Sequence, residues 1–219
     1  HLGAAMSAGV KIVSNLGAAH PISGAQRVRE IAAEQGLKSP RVAVVMGDDL
    51  SETMSEVEIR DLPLMDGQDV IHRTMRAANV YLGAEPVAEA AATGADVILV
   101  GRTTDSALAL GPLMHEYGWT DLDRLAAGTI TGHLLECGAQ VSGAYFADPG
   151  KKDVPDLARV GFPIAEVQED GSFVITKPKG TGGLVDRATV TEQLLYEMHD
   201  PAAYLVPEAS CDVTGLTLS

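Results

Sequence analysis

The sequence predicts an α/β fold: a parallel or mostly parallel sheet with flanking helices, plus a β-hairpin and a Gly-rich loop in the C-terminal part. Three short runs rich in β-branched residues, Val10–Ser14, Arg41–Met46 and Asp96–Val100, are separated by segments of helix length, as in βαβ crossovers. Hydrophobic residues make up 46% of the 219 residues and aromatic residues only 4%, so aliphatic side chains must fill the core. Such a core suits helices that pack on a parallel sheet.

Helices are predicted in the segments between these strands and after them. Pro21–Glu34 carries spaced aliphatic residues, and Gly36 is placed to end that helix. The composition of Arg73–Thr93 is also helical, although Gly83 and Pro86 interrupt it. Two further helices are predicted from their apolar spacing, over Ala107–Tyr117 and Leu122–Ala139.

The C-terminal part has a different pattern. Two predicted strands, Pro163–Val167 and Ser172–Thr176, flank an Asp-Gly turn, which is a strong signal for a hairpin. A Gly-rich loop follows, and then a helix over Val190–Met198. Thr189 and Glu192 have the spacing of a capping box, which would begin this helix.

This change of pattern divides the chain into two regions. We expect an α/β sheet domain over residues 1–142. Residues 143–219, with the hairpin, the loop and the last helix, are expected to continue the same domain. Because the chain opens on His1 and a strand follows almost at once, we expect it to be a fragment of a longer protein.

Charge and cysteine content narrow the classes of function. The formal net charge of −14 argues against nucleic acid or an anionic membrane as the main partner, since both attract clustered Lys and Arg. No apolar run approaches the ~18 residues expected of a membrane span. Cys137 and Cys211 are too few for a disulfide framework and fit a reducing compartment, so we expect a cytoplasmic protein.

Polar residues follow each of the three predicted parallel strands. Asn15 and Gly17 come after the first strand, Asp48 and Asp49 after the second, and Arg102 after the third. Ligands of open parallel sheets bind beyond the carboxyl ends of the strands, so these residues are expected at one edge. Arg102 would hold a carboxylate or phosphate, or else form an ion pair with one of the two aspartates. Those aspartates could act as a base or bind a metal, although a Gly-Asp-Asp turn needs neither.

A second group of candidates lies on the predicted helices. Asp105 precedes a helix, so it either caps that helix or takes part in catalysis. His133, Glu136 and Cys137 can share one helix face, where the histidine and the glutamate could perform acid–base chemistry. A hydrogen-bonded, packed histidine is the structural alternative, and three residues within one turn make a poor set of metal ligands. His20 is a weaker candidate, because loop histidines are common.

The Gly-rich loop is a candidate anion site. Its backbone N–H groups could face a phosphate or carboxylate, or its glycines could serve only a tight connection. It has neither the Gly-Lys-Ser/Thr ending of a Walker loop nor the spacing of a dinucleotide fingerprint, so no motif indicates a cofactor. The candidate substrate-binding residues here are Lys177, Gly180, Thr181, Gly182 and Gly183.

Eight segments, spread over nearly the whole chain, carry a family resemblance. They are SNLGAAHP (14–21), GDD (47–49), ANVYLGA (78–84), GADVILVGRTTDSALALGPLMHEYGW (94–119), LAAGTITGHLLECGAQVSG (125–143), GFPIAEV (161–167), DGSFVITKPKGTGG (170–183) and TVTEQLLYEMHDPAAYLVPEASCD (189–212). Together they resemble the AtuA family of acyclic terpene utilisation proteins. His20 and Lys179 depart from the family pattern, which more often has Asn and an acidic residue there.

The resemblance implies a role in degrading acyclic terpenes, whose intermediates are coenzyme A thioesters. We expect an enzyme of the lyase, hydratase or hydrolase type that acts on a branched or hydroxy carboxylic acid or its CoA thioester. Asp48, Asp105, His133 and Glu136 would be its catalytic residues. A non-catalytic binding or assembly subunit and a nucleotide-dependent kinase or ligase are the alternatives.

The expected partners follow from the same comparison. We expect a small-molecule carboxylate or acyl-CoA substrate, a ferredoxin-fold companion protein or domain, and further copies of the same chain. Nucleic acid and membranes are not expected partners. No family catalytic residue is transferred to this sequence, because the resemblance supplies none.

Overall fold

A computed structural model describes residues 1–17, 20–62 and 74–219. The chain forms two compact units. The sheet unit comprises His1–Leu82 and Ala90–Thr103, and the helical unit comprises Gly83–Glu89 and Thr104–Ser219. The expected division of the chain between residues 142 and 143 stays a prediction. The expectation that the chain is a fragment of a longer protein also stays a prediction.

Seven α-helices and seven strands occur in the part of the chain that the structure describes. The helices are α1 Leu2–Ala8, α2 Pro21–Glu34, α3 Glu56–Arg60, α4 Glu85–Ala92, α5 Ala107–Tyr117, α6 Leu122–Glu136 and α7 Arg187–Leu195. The strands are β1 Ile12–Ser14, β2 Val42–Val45, β3 Val97–Val100, β4 Ile164–Val167, β5 Phe173–Thr176, β6 Tyr204–Leu205 and β7 Ser210–Cys211.

The sheet unit contains a three-stranded parallel sheet in the order β1-β3-β2, which confirms the predicted α/β fold. The register aligns Ser14 with Leu99, and Val45 with Val100, so the three strands end at the same edge. All four residues of the central strand β3 are buried. A continuous Val-Ile-Leu run is what a strand covered on both faces requires.

Helix α2 begins and ends where the sequence predicts. Pro21 occupies the first turn, where its missing N–H costs no hydrogen bond, and Nδ1 of His20 accepts from Ser23 N at 3.2 Å. The helix ends before Gly36, which has a left-handed φ of 65°. His20 therefore has a capping role in this structure.

The helical unit contains α5, α6 and α7 with the antiparallel hairpin β4–β5, confirming the predicted hairpin. One buried cluster joins α6, α7 and the chain that follows, and a second surrounds Trp119. Each fully buried aliphatic side chain contributes about 1.5–3 kcal/mol. The first cluster consists of Ile130, Leu134, Val141, Val190, Leu194 and Val213, and the second of Ala84, Ala107, Leu110, Trp119 and Leu125.

Helix α6 passes very close to the start of α5. A Cβ added to Gly132 would lie 2.6 Å from both Cα and O of Ser106, which are backbone atoms that cannot move aside cheaply. Only a residue without a side chain permits this approach. The glycine therefore fixes the distance between the N-terminal end of α5 and the middle of α6.

Two helix predictions differ from the structure. The predicted helix Arg73–Thr93 is restricted to α4. Its first residue lies outside the described part of the chain, and residues 74–84 carry only isolated bridges, such as Asp49 with Asn79. The predicted capping box is wrong: Asp186, not Thr189, caps α7. The Asp186 carboxylate accepts from Ala188 N at 2.9 Å and Thr189 N at 3.0 Å, because Thr189 occupies the third helical position.

Several short elements escaped the sequence analysis, namely α1, α3, β6 and β7. Each has seven residues or fewer, too short for a clear periodicity. Helix α6 also ends at Glu136, and a 3-10 turn over Gly138–Gln140 replaces its predicted last residues. Across the described residues, every helix falls short of the length and apolar character that membrane crossing demands.

The close approach of α6 and α5 predicts an unusual response to a Gly-to-Ala change. Gly132→Ala should lower the free energy of unfolding by about 1–3 kcal/mol, because the new methyl group overlaps the Ser106 backbone. This loss should occur although alanine favours helices by ~1 kcal/mol over glycine. Urea denaturation followed by circular dichroism measures the difference.

Gly215 supplies the matched control in the same unit. A Cβ added there meets no atom within 4 Å and the backbone φ is not left-handed, so Gly215→Ala should change stability by less than ~0.5 kcal/mol. Equal stability of the Gly132→Ala and wild-type proteins would show that the two helices can separate without cost.

Candidate functional sites

The edge of the parallel sheet forms the first candidate site. Asn15, Asp48 and Arg102 follow the carboxyl ends of the three strands, as the sequence analysis expects. A small cleft of about 110 Å³ opens there and is called the sheet-edge cleft. Its lining includes His20, Met46, Asp48, Asp49, Glu52 and Asn79.

Asp48 is the most enclosed charged residue of the sheet-edge cleft, with 6% of its surface exposed. Asn79 Nδ2 donates to Asp48 Oδ2 at 3.0 Å. A Cβ added to Gly101 would lie 2.7 Å from Asp48 Cγ, so the missing side chain of Gly101 makes room for the carboxylate. A glycine therefore follows strand β3, because Asp48 fills the space where a side chain would lie.

The sheet-edge cleft suits small ligands and does not favour anions. Its volume corresponds to a few water molecules, each of which occupies ~30 Å³ in the liquid. The carboxylates of Asp48, Asp49 and Glu52 line it, and they repel a phosphate or carboxylate. Arg102 is exposed and is not part of the lining, so the structure does not join it to this cleft.

Other predicted residues at this edge hold the backbone in place. Asp49 accepts hydrogen bonds from Ser51 N at 2.9 Å and Ser51 Oγ at 2.6 Å. Gly17 is buried in the turn after β1, where its carbonyl oxygen accepts from His20 N at 2.8 Å. Among the residues described, Arg102 forms no ion pair with Asp48 or Asp49, so the ion-pair alternative is wrong.

The second candidate site is a carboxyl cluster in the helical unit, defined by Asp105, His133, Glu136, Glu197 and Tyr204. The charges of Glu197 and His133 act on the pKa of Asp105, and the charges of Asp105, His133 and Glu197 act on the pKa of Glu136. The charges of Glu136, Asp105 and Glu197 act on the pKa of Tyr204. The structure thus brings together three of the four predicted catalytic residues. The fourth, Asp48, belongs to the sheet unit.

Asp105 has no capping role, so that alternative is wrong. Ser106 occupies the N-cap position of α5, and its side chain makes no capping hydrogen bond. Partial loss of water around its carboxyl raises the pKa of Asp105, and the negative charge of Glu197 raises it further. Asp105 is nevertheless exposed, so its carboxyl is both perturbed and accessible.

His133 is buried, with 3% of its surface exposed, and both ring nitrogens have partners. Nε2 lies 3.1 Å from Leu194 O, which can only accept, so Nε2 carries a proton. Nδ1 lies 3.4 Å from the hydroxyl of Tyr204, which can donate to it. His133 therefore has a hydrogen-bond partner at each ring nitrogen, one on α7 and one on β6.

Glu136 and Cys137 form a bonded pair at the end of α6. The Cys137 thiol donates to Glu136 Oε1 at 2.8 Å. Burial raises the pKa of Glu136, and the nearby charge of Asp105 also raises it. Burial, then the bond and charge of Glu136, raises the pKa of Cys137 to about 12. The thiol stays protonated at neutral pH and is a poor nucleophile or metal ligand.

Glu197 and Tyr204 were missed by the sequence analysis. Glu197 has a left-handed φ of 56°, and Tyr204 lies on a two-residue strand. No spacing rule relates either residue to α6, so no local signal marks them. Two buried oxygen atoms of the same unit, Ser106 Oγ and Gln193 Oε1, have no hydrogen-bond partner within the described residues. Gln193 Nε2 donates to His133 O at 3.0 Å, which places this amide beside the cluster.

The Gly-rich loop closes on protein atoms. Lys177 Nζ donates to Thr181 O at 2.9 Å, and Thr181 Oγ1 donates to Pro178 O at 2.6 Å. The N–H groups of Gly182 and Gly183 donate to Arg159 O at 2.8 Å and to Pro155 O at 2.7 Å. These N–H groups are already used, so the arrangement favours a tight connection over an anion site. Gly180 lies exposed at the tip of the turn.

Within residues 1–17, 20–62 and 74–219, no group of three or more His, Cys, Asp or Glu side chains has a geometry that could hold a metal ion.

These observations define an α/β protein with a buried aspartate at its parallel sheet edge and a carboxyl cluster on its helical unit. The family model described as acyclic terpene utilisation family protein AtuA matches residues 1–219. The chain therefore belongs to the AtuA family, and the resemblance noted in its sequence is confirmed. No curated protein and no solved structure matches the chain.

The raised pKa values predict how stability depends on pH. The folded chain holds protons on Asp105 and Glu136 that the unfolded chain releases near pH ~4. Wild-type stability from these groups is lost as pH rises from that value through the raised pKa. Asp105→Asn and Glu136→Gln remove this loss, so their stability relative to wild type should increase as pH rises. Urea denaturation at several pH values between about 4 and 8 checks this.

Asp212 lies in the same unit and serves as a control, because its pKa is shifted in the opposite direction. Hydrogen bonds from the Thr214 side chain and backbone lower the pKa of Asp212. Its stabilisation is present above the ordinary pKa and disappears as pH falls through the lowered one, so Asp212→Asn should cost stability near neutral pH. A relative stability of the Asp105→Asn protein that declines with rising pH would contradict the assignment.

Proposed function

We propose that the chain is an enzyme that moves protons with the carboxyl cluster, acting on a branched carboxylic acid or its CoA thioester. The observation that carries the proposal is the carboxyl of Asp105, which caps no helix, is accessible, and has a raised pKa beside Glu136 and His133. Carboxyls with raised pKa values serve as proton donors and acceptors near neutral pH. Clusters of perturbed groups also concentrate at functional sites.

The family supports the substrate class. The description of the matching family names acyclic terpenes, which are branched aliphatic compounds, so an oxidised derivative would be a branched carboxylic acid. Hydration of an unsaturated acid or thioester, and its reverse, needs one base and one acid. A lyase or hydratase reaction is therefore the favoured reaction class, and hydrolysis of a thioester is the second candidate.

The roles follow from the environment of each side chain. In a hydration, ionised Asp105 takes a proton from water as the oxygen attacks the β-carbon, and protonated Glu136 gives a proton to the α-carbon. The product gains one water, and solvent returns the proton from Asp105 to Glu136. His133, held between Leu194 O and Tyr204, positions this pair and stabilises its negative charge.

Arg102 is the candidate for a separate proposal, an anion site within the sheet unit. It is exposed, and no ion pair occupies it in the part of the chain that the structure describes. Asn15 of the same unit is a weaker candidate, and the polar side chains of the loop at Lys177 are weaker candidates for an anion site within the helical unit. Arg102→Ala should weaken binding of a carboxylate or phosphate and leave the fold intact.

Turnover assays of the full-length protein test the proposal. The substrates are branched CoA thioesters, unsaturated and 3-hydroxylated, and the corresponding free acids. Asp105→Asn and Glu136→Gln should each lower kcat/KM about 100-fold or more, as expected when a general acid or base is lost. The acidic limb of the wild-type pH–rate profile should lie above pH ~4, in keeping with the raised pKa.

Asp123→Asn is the matched control, because Asp123 is an exposed aspartate in the first turn of α6 and outside the cluster. It should keep the wild-type rate. Folded Asp105→Asn and Glu136→Gln proteins with wild-type kcat/KM would overturn the proposal. If no substrate is turned over and a ferredoxin-fold companion binds tightly, the result would instead support an assembly subunit.

A further inference from the structure

A larger, apolar cleft lies elsewhere in the helical unit. Its volume is about 420 Å³, within the ~300–1,000 Å³ typical of small-molecule sites. None of the residues that define the carboxyl cluster lines it. The apolar cleft is therefore a second feature, distinct from the proposed reaction site.

Three elements supply the apolar walls. Leu134 comes from α6, Phe173 and Ile175 from β5, and Val190 from α7, while residues 216–219 form the remaining side. Phe173 and Ile175 are partly buried against the core cluster that contains Leu134 and Val190. An aliphatic chain that enters this cleft would extend the hydrophobic core and leave water, which favours binding.

The charged side chains that line the apolar cleft, Asp186 and Arg187, differ in whether they are free to bind a ligand. Asp186 is committed to α7, because its Oδ1 accepts from Ala188 N and Thr189 N. Arg187 is exposed, lines the cleft, and makes no ion pair with any described residue. Both charges line the cleft, and the guanidinium of Arg187 is the one that matches a carboxylate in shape and charge.

We infer that the apolar cleft binds an acyclic aliphatic carboxylate, with its hydrocarbon chain against Leu134, Phe173 and Val190 and its carboxylate on Arg187. The inference rests on the proposed function only for the view that such a ligand is a substrate or product. The binding itself depends on the cleft, and the proton chemistry depends on Asp105 and Glu136. The two can therefore fail separately.

Isothermal titration calorimetry with two probes tests the inference. The probes are 3,7-dimethyloctanoate and 3,7-dimethyloctan-1-ol, which share a branched chain and differ in charge. Arg187→Gln should weaken binding of the carboxylate about fivefold, the upper range for an exposed ion pair, and leave binding of the alcohol unchanged. Arg29→Gln is the matched control, since Arg29 is an exposed arginine of α2 and lies outside the cleft.

A chain-length series tests the apolar walls independently of Arg187. From butanoate to octanoate, each added methylene should strengthen binding by up to about fourfold, as for transfer of CH₂ from water to an apolar site. Affinity that does not vary with chain length would overturn the inference. So would an Arg187→Gln effect that is equal for acid and alcohol, or equal to that of Arg29→Gln.

Turnover data separate this inference from the proposed function. Asp105→Asn should abolish turnover and leave carboxylate binding at the wild-type value. Detectable turnover in a protein that binds neither probe would overturn the inference alone. Arg187-dependent binding without turnover of any substrate would support the cleft and count against the proposed reaction.

Discussion

The contact between Gly132 and the backbone of Ser106 sets the geometry of the carboxyl cluster. Asp105 precedes Ser106, and His133 follows Gly132, so the crossing point of α6 and α5 lies between two of the cluster residues in sequence. A longer side chain at residue 132 would move the two helices apart. Water would then have freer access to the carboxyl of Asp105, and the burial that raises its pKa would decrease.

The cluster also illustrates how burial and charge work together in an acidic chain. Partial loss of water disfavours the charged forms of Asp105 and Glu136, and neighbouring carboxylates disfavour them further. Asp105 and Glu136 consequently retain protons more readily than fully solvated carboxyls do. His133 acts in the opposite direction, lowering the pKa of both carboxyls, and its ring lies against Tyr204.

The elements that could be predicted from the sequence are those whose own residues carry the pattern. The central strand β3 and the helices α2 and α5 carry their own patterns: a continuous aliphatic run, a proline at the start, and a glycine at the end. The parallel order follows from the crossover rule. The cap of α7 was misplaced because Asp186 and Thr189 can both cap a helix, and only the backbone decides which one does.

The candidate sites were less predictable because their contacts join distant segments. The sequence leaves two roles open for Asp105, capping of α5 and catalysis, and only the folded chain shows that it does not cap this helix. Tyr204 reaches His133 across 71 residues of sequence, and no periodicity encodes such a contact. The anion-binding reading of the Gly-rich loop depended on free N–H groups, and the bonds to Pro155 and Arg159 arise only in the folded chain.

The thiol of Cys137 has a consequence for the redox behaviour of the protein. With a pKa of about 12, only ~1 in 10⁵ of these thiols is ionised at pH 7, and the thiolate is the species that peroxides and alkylating agents attack. Burial also raises the pKa of the Cys211 thiol. Both cysteines are therefore slow to react, so oxidants would leave the hydrogen bond that orients Glu136 intact.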